Sequence, residues 1–153
     1  DSGRGLIILG NGKGEFKSLP GHLSGIQVYG EQRGAAFADF NLDNRIDLIV
    51  TQNGAQTKLY ENTNSEPGLR VKLRGSKFNP WAFGAKIQIS YKDGSLGPVR
   101  EIQSGSGYWS QNSPIQILGI KGEASDLKIQ WPDGSKTTEP LNGNKLTVTF
   151  TEN

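Results

Sequence analysis

Residues 87–102 read Ile87-Gln88-Ile89-Ser90-Tyr91, then a polar stretch with Asp93-Gly94, then Val99-Arg100-Glu101-Ile102. Apolar and polar residues alternate in the first run, which is the period of a β-strand with one buried face. Asp-Gly is a common hairpin turn, because both residues tolerate the left-handed backbone that such turns need. The segment therefore predicts two antiparallel strands joined by a turn.

The rest of the chain repeats this organisation. Short apolar runs recur between turns, and none keeps helical spacing over a dozen residues. The runs cover residues 6–9, 35–38, 46–50, 69–73, 85–91, 99–102, 115–118, 127–131 and 146–150. Further turns are expected at Pro132-Asp133-Gly134 and Asn142-Gly143-Asn144. With 33% hydrophobic residues, 21 glycines and 7 prolines, the composition favours an all-β fold of short strands.

Composition excludes several classes of function. The net charge of +2 arises from 17 basic and 15 acidic residues, and the basic residues form no run, which argues against nucleic-acid binding. There is no cysteine, so disulfide bonds and thiolate metal sites are excluded. No apolar stretch approaches the ~20 residues of a membrane span. A chain that opens Asp1-Ser2-Gly3-Arg4 without methionine is expected to be a mature product or a fragment.

A polar linker divides the chain. Residues 62–68 are rich in asparagine, proline and glycine, which predicts one unit over residues 1–64 and another over 65–153. Residues 5–12 and 56–63 are both strand-then-asparagine segments, about fifty residues apart, a period typical of β-propeller blades. We therefore expect residues 1–64 to end a repeat array, with further blades upstream, and residues 65–153 to form a small antiparallel β-sandwich-like domain.

The segment Asp39-Phe40-Asn41-Leu42-Asp43-Asn44-Arg45-Ile46-Asp47 is the sharpest chemical signal. Asp39, Asn41, Asp43 and Asp47 place oxygen side chains at positions one, three, five and nine, and the carbonyl of Arg45 stands at position seven. Calcium takes six to eight oxygen ligands, and alternate residues of a tightly wound loop can face one centre. The loop therefore predicts a calcium (Ca²⁺) site.

The alternative is a solvated polar turn. Apolar residues lie between the acids and favour a loop drawn toward a core, where carboxylates would repel by roughly 4 kcal/mol per pair at 4 Å and an effective dielectric of 20. A bound cation removes that repulsion. Asn44 is expected to adopt the left-handed conformation. Val50 at the twelfth position and strand-like flanks exclude an EF-hand.

Two parts of the chain resemble known families. Residues 34–50, with the pattern Asp-Phe-x-x-Asp-x-x-x-Asp-Leu, resemble the FG-GAP or VCBS repeat of integrin-like β-propellers, and residues 10–16 are similar to the preceding blade's Asn-Gly-x-Gly-x-Phe segment. From about Leu69 the chain resembles the ASPIC/UnbV domain of cartilage-acidic-protein-like and bacterial exported proteins. The matching pieces are residues 83–87, 105–112 and 129–134.

These resemblances imply a binding function and assign no enzymatic reaction. They assign calcium to Asp39, Asn41, Asp43, the Arg45 carbonyl and Asp47. They imply a secreted, extracellular or periplasmic protein that takes part in binding or cell adhesion, with a protein or glycan as its ligand. The family prefers glycine where this chain has Asn44, which weakens the expected affinity.

Catalysis is not expected. His22 is the single histidine, lies in a predicted loop, and has no evident partners for a catalytic triad or a zinc site. An acid–base pair in the Asp39–Asp47 loop would need one raised pKa, whereas a metal ion would lower the pKa values.

Exposed aromatic residues suggest an alternative function. Trp131 is predicted to lie in the core. Trp81, Tyr108 and Trp109 lie in glycine- and asparagine-rich loops, where they stack on a sugar, contact a protein or plug the ends of the sandwich. The first option makes the chain a carbohydrate-binding appendage of a larger exported protein.

A basic strand face has a simpler interpretation. Arg70, Lys72 and Arg74 alternate with apolar residues. We expect a solvated face that protects an edge strand from pairing, in preference to an anionic-glycan site.

Overall fold

The computed structural model describes residues 5–141 and 147–152, and its fold is all-β, as predicted. The strands are β1 (Ile7–Gly10), β2 (Phe16–Leu19), β3 (Glu31–Ala38), β4 (Asp47–Asn53), β5 (Lys58–Tyr60), β6 (Leu69–Arg74), β7 (Lys86–Tyr91), β8 (Arg100–Glu101), β9 (Gln116–Leu118), β10 (Ala124–Gln130), β11 (Lys136–Pro140) and β12 (Thr147–Thr151). One helical turn, α1 (Gly21–Ser24), contains His22, for which the sequence predicted a loop. Within the described ranges, no helix has the length and apolar character to cross a bilayer.

Strands β6 to β12 form two sheets around one core. The sheets have the strand orders β11-β10-β7-β8 and β12-β6-β9, and they are antiparallel except that β12 pairs parallel with β6. The inner faces supply buried residues from β6, β7 and β10, including Val71, Ile87 and Ile129. Trp131 joins this core, as predicted, and its Nε1 donates to Thr137 Oγ1 at 3.1 Å.

Both predicted hairpins are confirmed. Asp93-Gly94 lies between β7 and β8, and Pro132-Asp133-Gly134 lies between β10 and β11, with left-handed backbone at both glycines. The turn predicted at residues 142–144 lies outside the described residues. No apolar run predicted β2, and β11 was implied only by the turn before it, because their sequences Phe-Lys-Ser-Leu and Lys-Thr-Thr-Glu-Pro carry few apolar residues.

The N-terminal residues form a β1–β2 hairpin and a three-stranded antiparallel sheet of order β3-β4-β5. One edge of that sheet is covered by the segment between β8 and β9. The backbone amide of Phe37 on β3 donates to Asn112 Oδ1 at 2.9 Å, and its carbonyl accepts from the Ser113 amide at 2.8 Å. These bonds occupy backbone groups that an unpaired edge strand would leave open.

The interpretation of Arg70, Lys72 and Arg74 as a solvated edge-strand face is wrong in two respects. Their strand, β6, is the central strand of its sheet, between β12 and β9. Arg70 forms an ion pair with Asp39, and Lys72 Nζ lies 5.6 Å from the centre of the Trp81 ring. The arginine is therefore part of the contact between the acidic loop and the sandwich.

Candidate metal centre

The acidic loop connects β3 to β4, so that Asp39 follows one strand and Asp47 begins the next. Two of its residues adopt the left-handed conformation, Leu42 with φ 64° and Asn44 with φ 65°. The prediction for Asn44 is confirmed. Leu42 was not expected there, because a side chain with a Cβ disfavours this conformation. The two residues give the loop its tight winding.

Asp39 is the buried anchor of the loop. Its Oδ1 accepts from the backbone amide of Asp43 at 3.0 Å, and its Oδ2 accepts from the amide of Asn44 at 3.1 Å. The guanidinium of Arg70 on β6 also donates to Oδ2. The Asp39 side chain is 2% exposed and that of Arg70 is 17% exposed. A buried carboxylate is thus satisfied by a cation from the other part of the chain.

Asp43 forms an ion pair with another arginine, Arg45. Its Oδ1 accepts from the Arg45 amide at 2.9 Å, and its Oδ2 accepts from Arg45 Nη1 and from Asn41 Nδ2, both at 3.1 Å. Desolvation is the largest single influence and raises the pKa of Asp43. The hydrogen bonds from Arg45 and Asn41, together with the charge of Arg45, outweigh it and lower the pKa below its ordinary value. Asp43 is therefore held as a carboxylate.

Glu61 extends the site beyond the predicted residues. Asn41 Nδ2 donates to Glu61 Oε1 at 2.8 Å as well as to Asp43, so one amide group lies between two carboxylates. Glu61 directly follows β5, and the pairing of β5 with β4 brings it to the loop. The spacing inside the loop carries no signal for Glu61, which lies twenty residues from Asn41.

Asp47 has a structural role of its own. It is 3% exposed, its Oδ2 accepts from the Phe40 amide at 2.8 Å, and its Oδ1 accepts from the Asn62 amide at 2.9 Å. One carboxylate therefore joins the start of the loop to the segment after β5. Since both oxygens accept backbone N–H groups, Asp47 would be retained for folding whether or not it also binds an ion.

The donor chemistry of the loop fits a hard cation, because it supplies carboxylate, amide and carbonyl oxygens without nitrogen or sulfur ligands. Asn44 Oδ1 is buried, and no residue in the described ranges gives it a hydrogen-bond partner, so this oxygen is available to a cation. In the part of the chain that the structure describes, no three acidic or histidine side chains are placed to hold an ion. Instead, Arg45 and Arg70 offset part of the carboxylate repulsion.

Two of the aromatic residues form an exposed platform. Tyr108 and Trp109 are 73% and 78% exposed, and their rings stack with centres 5.4 Å apart and an angle of 15° between planes. Trp109 has φ 52°, and its carbonyl lies against Gly34 of β3. The pair therefore does not plug the sandwich. Trp81 is 42% exposed and packs beside Lys72.

Comparison with known proteins gives one family and several relatives. A family model described as ASPIC and UnbV matches residues 75–153. The chain is similar to cartilage acidic protein 1 of Xenopus tropicalis, 33% identical over 117 residues, and to that of Homo sapiens, 32% identical over 115 residues. These alignments cover 73% and 71% of this chain and 18% and 17% of the relatives. The chain thus spans less than a fifth of their length.

Proposed function

Because this chain belongs to the ASPIC and UnbV family, we propose that it is a non-catalytic, calcium-binding interaction module that acts outside the cytoplasm. The observation that carries the proposal is the acidic loop, which places oxygen donors where the β3-β4-β5 sheet meets the sandwich strand β6. An ion bound there would stabilise the contact between these two parts. Similarity to cartilage acidic protein 1 supports an extracellular or periplasmic location.

We assign the N-terminal region, residues 1–64, to an FG-GAP/VCBS-type propeller blade. Ile49 on β4 and Leu59 on β5 are directly paired, and they remain 40% and 48% exposed on one face of their sheet. Paired apolar side chains on a sheet face are usually covered by a neighbouring layer. Upstream propeller blades would supply such a layer.

Calcium would be held by Asp39, Asn41, Asp43, Asp47 and the Arg45 carbonyl, and its contribution would be charge neutralisation, structural rather than catalytic. The chain's own residues prepare the loop for it. Asp47 joins the end of the loop to its start through the Phe40 amide and to the segment after β5 through the Asn62 amide. The left-handed Asn44 turns the chain between Asp43 and Arg45. Arg70 and Arg45 keep the carboxylates compensated when no ion is bound.

Calcium should therefore stabilise the protein. At a concentration tenfold above the dissociation constant, a ligand that binds only the folded state adds roughly 1.4 kcal/mol to the free energy of unfolding. Urea unfolding with calcium and with chelator should show this difference. Asp43→Asn should abolish it, because the variant removes the negative charge of one proposed ligand. The Asp43 side chain is partly exposed, so its replacement leaves the core intact.

Glu66→Gln is the matched control, because Glu66 is an exposed acid close to the site in sequence. It should respond to calcium as the unaltered protein does. Equal stability of the unaltered protein in calcium and in chelator would exclude the calcium proposal.

The second candidate function is carbohydrate binding, and the exposure of the Tyr108–Trp109 pair favours it. A flat aromatic surface suits the apolar face of a neutral sugar ring. A glycan array should then show a bound neutral glycan, with binding lost in Trp109→Ala and kept in Phe78→Ala. Phe78 is 95% exposed and serves as a matched aromatic control. Loss in both variants, or in neither, would exclude the pair as a sugar site.

A further inference from the structure

The outer face of the β11-β10-β7-β8 sheet carries three lysines on adjoining strands. Lys136 on β11 and Lys86 on β7 are each paired with Gln130 on β10, so these residues form one row across the sheet. In the next row, Lys128 on β10 lies between Thr138 and Gln88. With strands about 4.8 Å apart, the backbones at Lys86 and Lys136 are separated by roughly 10 Å.

These lysines line a depression of about 450 Å³. All three are exposed, and among the described residues none has a carboxylate within ion-pair distance. Two acids lie at the margin of the face. Glu101 is paired with Lys86 across the edge strand β8, and Asp126 accepts a hydrogen bond from Ser90. Neither lines the depression, whose lining residues include three lysines and no acid.

We propose that this lysine face binds an acidic polysaccharide, a linear chain that carries repeated sulfate or carboxylate groups. Its three lysines stand on three different strands in two rows, which suits separate anions along a polymer better than one phosphate group. The interleaved Gln130 and Thr138 offer neutral hydrogen-bonding groups for hydroxyls between those anions.

A nucleic acid fits the same face less well. Single-stranded nucleic acids are bound through aromatic side chains on which the bases stack, and the residues that line the depression include no aromatic side chain. The chemistry of the face therefore favours separate anions on a sugar backbone.

Dextran sulfate is the probe, with unsulfated dextran as its neutral match and a single-stranded oligonucleotide as a different polyanion. The unaltered protein should bind dextran sulfate at low ionic strength and release it as salt rises. Lys86→Gln, Lys128→Gln and Lys136→Gln together should weaken binding about tenfold or more, as three exposed charge contacts each contribute a fraction of a kcal/mol. The control combines Lys13→Gln, Lys17→Gln and Lys58→Gln, which remove the same charge from exposed positions elsewhere.

Binding that survives in the control and falls in the first variant supports the proposal. Equal loss in both would show attraction to net charge alone and overturn it, as would equally tight, lysine-dependent binding of the oligonucleotide.

Acetylation of lysines in the unaltered protein gives a readout without substitutions. Dextran sulfate should protect Lys86, Lys128 and Lys136, and unchanged labelling of them would contradict the proposal. None of these measurements requires calcium, so their outcome tests the lysine face independently of the metal site.

Discussion

Replacing Arg70 with methionine is expected to lower the free energy of unfolding by about 3–5 kcal/mol in the absence of metal ions, measured by urea unfolding in chelator. The reason is the burial of its partner. The Asp39 side chain is 2% exposed, and removal of the guanidinium leaves that carboxylate without its positively charged partner. Calcium should reduce the loss, because a bound ion would compensate the same carboxylate.

Arg74→Met is the control for this substitution. Arg74 lies on the same strand, β6, but is exposed, so its loss should change stability by no more than about 0.5 kcal/mol. Adding Asp39→Asn to Arg70→Met should restore part of the stability, since the uncompensated charge is then removed. A loss for Arg70→Met as small as that for Arg74→Met would contradict the role assigned to the ion pair.

Asp47→Ala should be comparably damaging, with an expected loss of about 3–6 kcal/mol. The buried carboxylate accepts from the amides of Phe40 and Asn62, and each hydrogen bond to a charged group contributes about 1.5–3 kcal/mol. Without it, both amides lose their acceptor at the junction of the loop and the segment after β5. Unfolding monitored in chelator measures this effect without any contribution from a bound ion.

Asp47→Asn is the informative comparison, because an amide keeps one acceptor oxygen in place of two. Its loss should fall between that of Asp47→Ala and zero. If Asp47→Ala were as stable as the unaltered protein in chelator, the structural role assigned to the two backbone hydrogen bonds of Asp47 would be contradicted.

The elements that follow from local chemistry could be predicted from the sequence. Alternation in residues 87–91, with Asp93-Gly94 after it, predicted a hairpin that the structure contains. The left-handed conformation of Asn44 followed from the position of a polar, turn-forming residue in a wound loop. Burial of Trp131 followed from its place at the end of an apolar strand.

The contacts that join distant segments could not be predicted in this way. Arg70 lies 31 residues from Asp39, and Asn112 lies 75 residues from Phe37, so no local spacing relates these pairs. The sequence predicted an edge-strand face for the basic residues of β6 because it does not reveal strand order. The distant strand β12 pairs parallel with β6 and makes it a central strand. For the same reason, the sequence predicted the acids of the loop without the arginine that compensates one of them.

The most direct test of the calcium proposal is a crystal of the protein soaked in calcium, with anomalous scattering recorded at the loop. We expect one strong peak within about 2.3–2.6 Å of oxygens from Asp39, Asn41, Asp43, Asp47 and the Arg45 carbonyl. Density that shows Arg70 still bound to Asp39, with no anomalous peak in the loop at saturating calcium, would contradict the proposal.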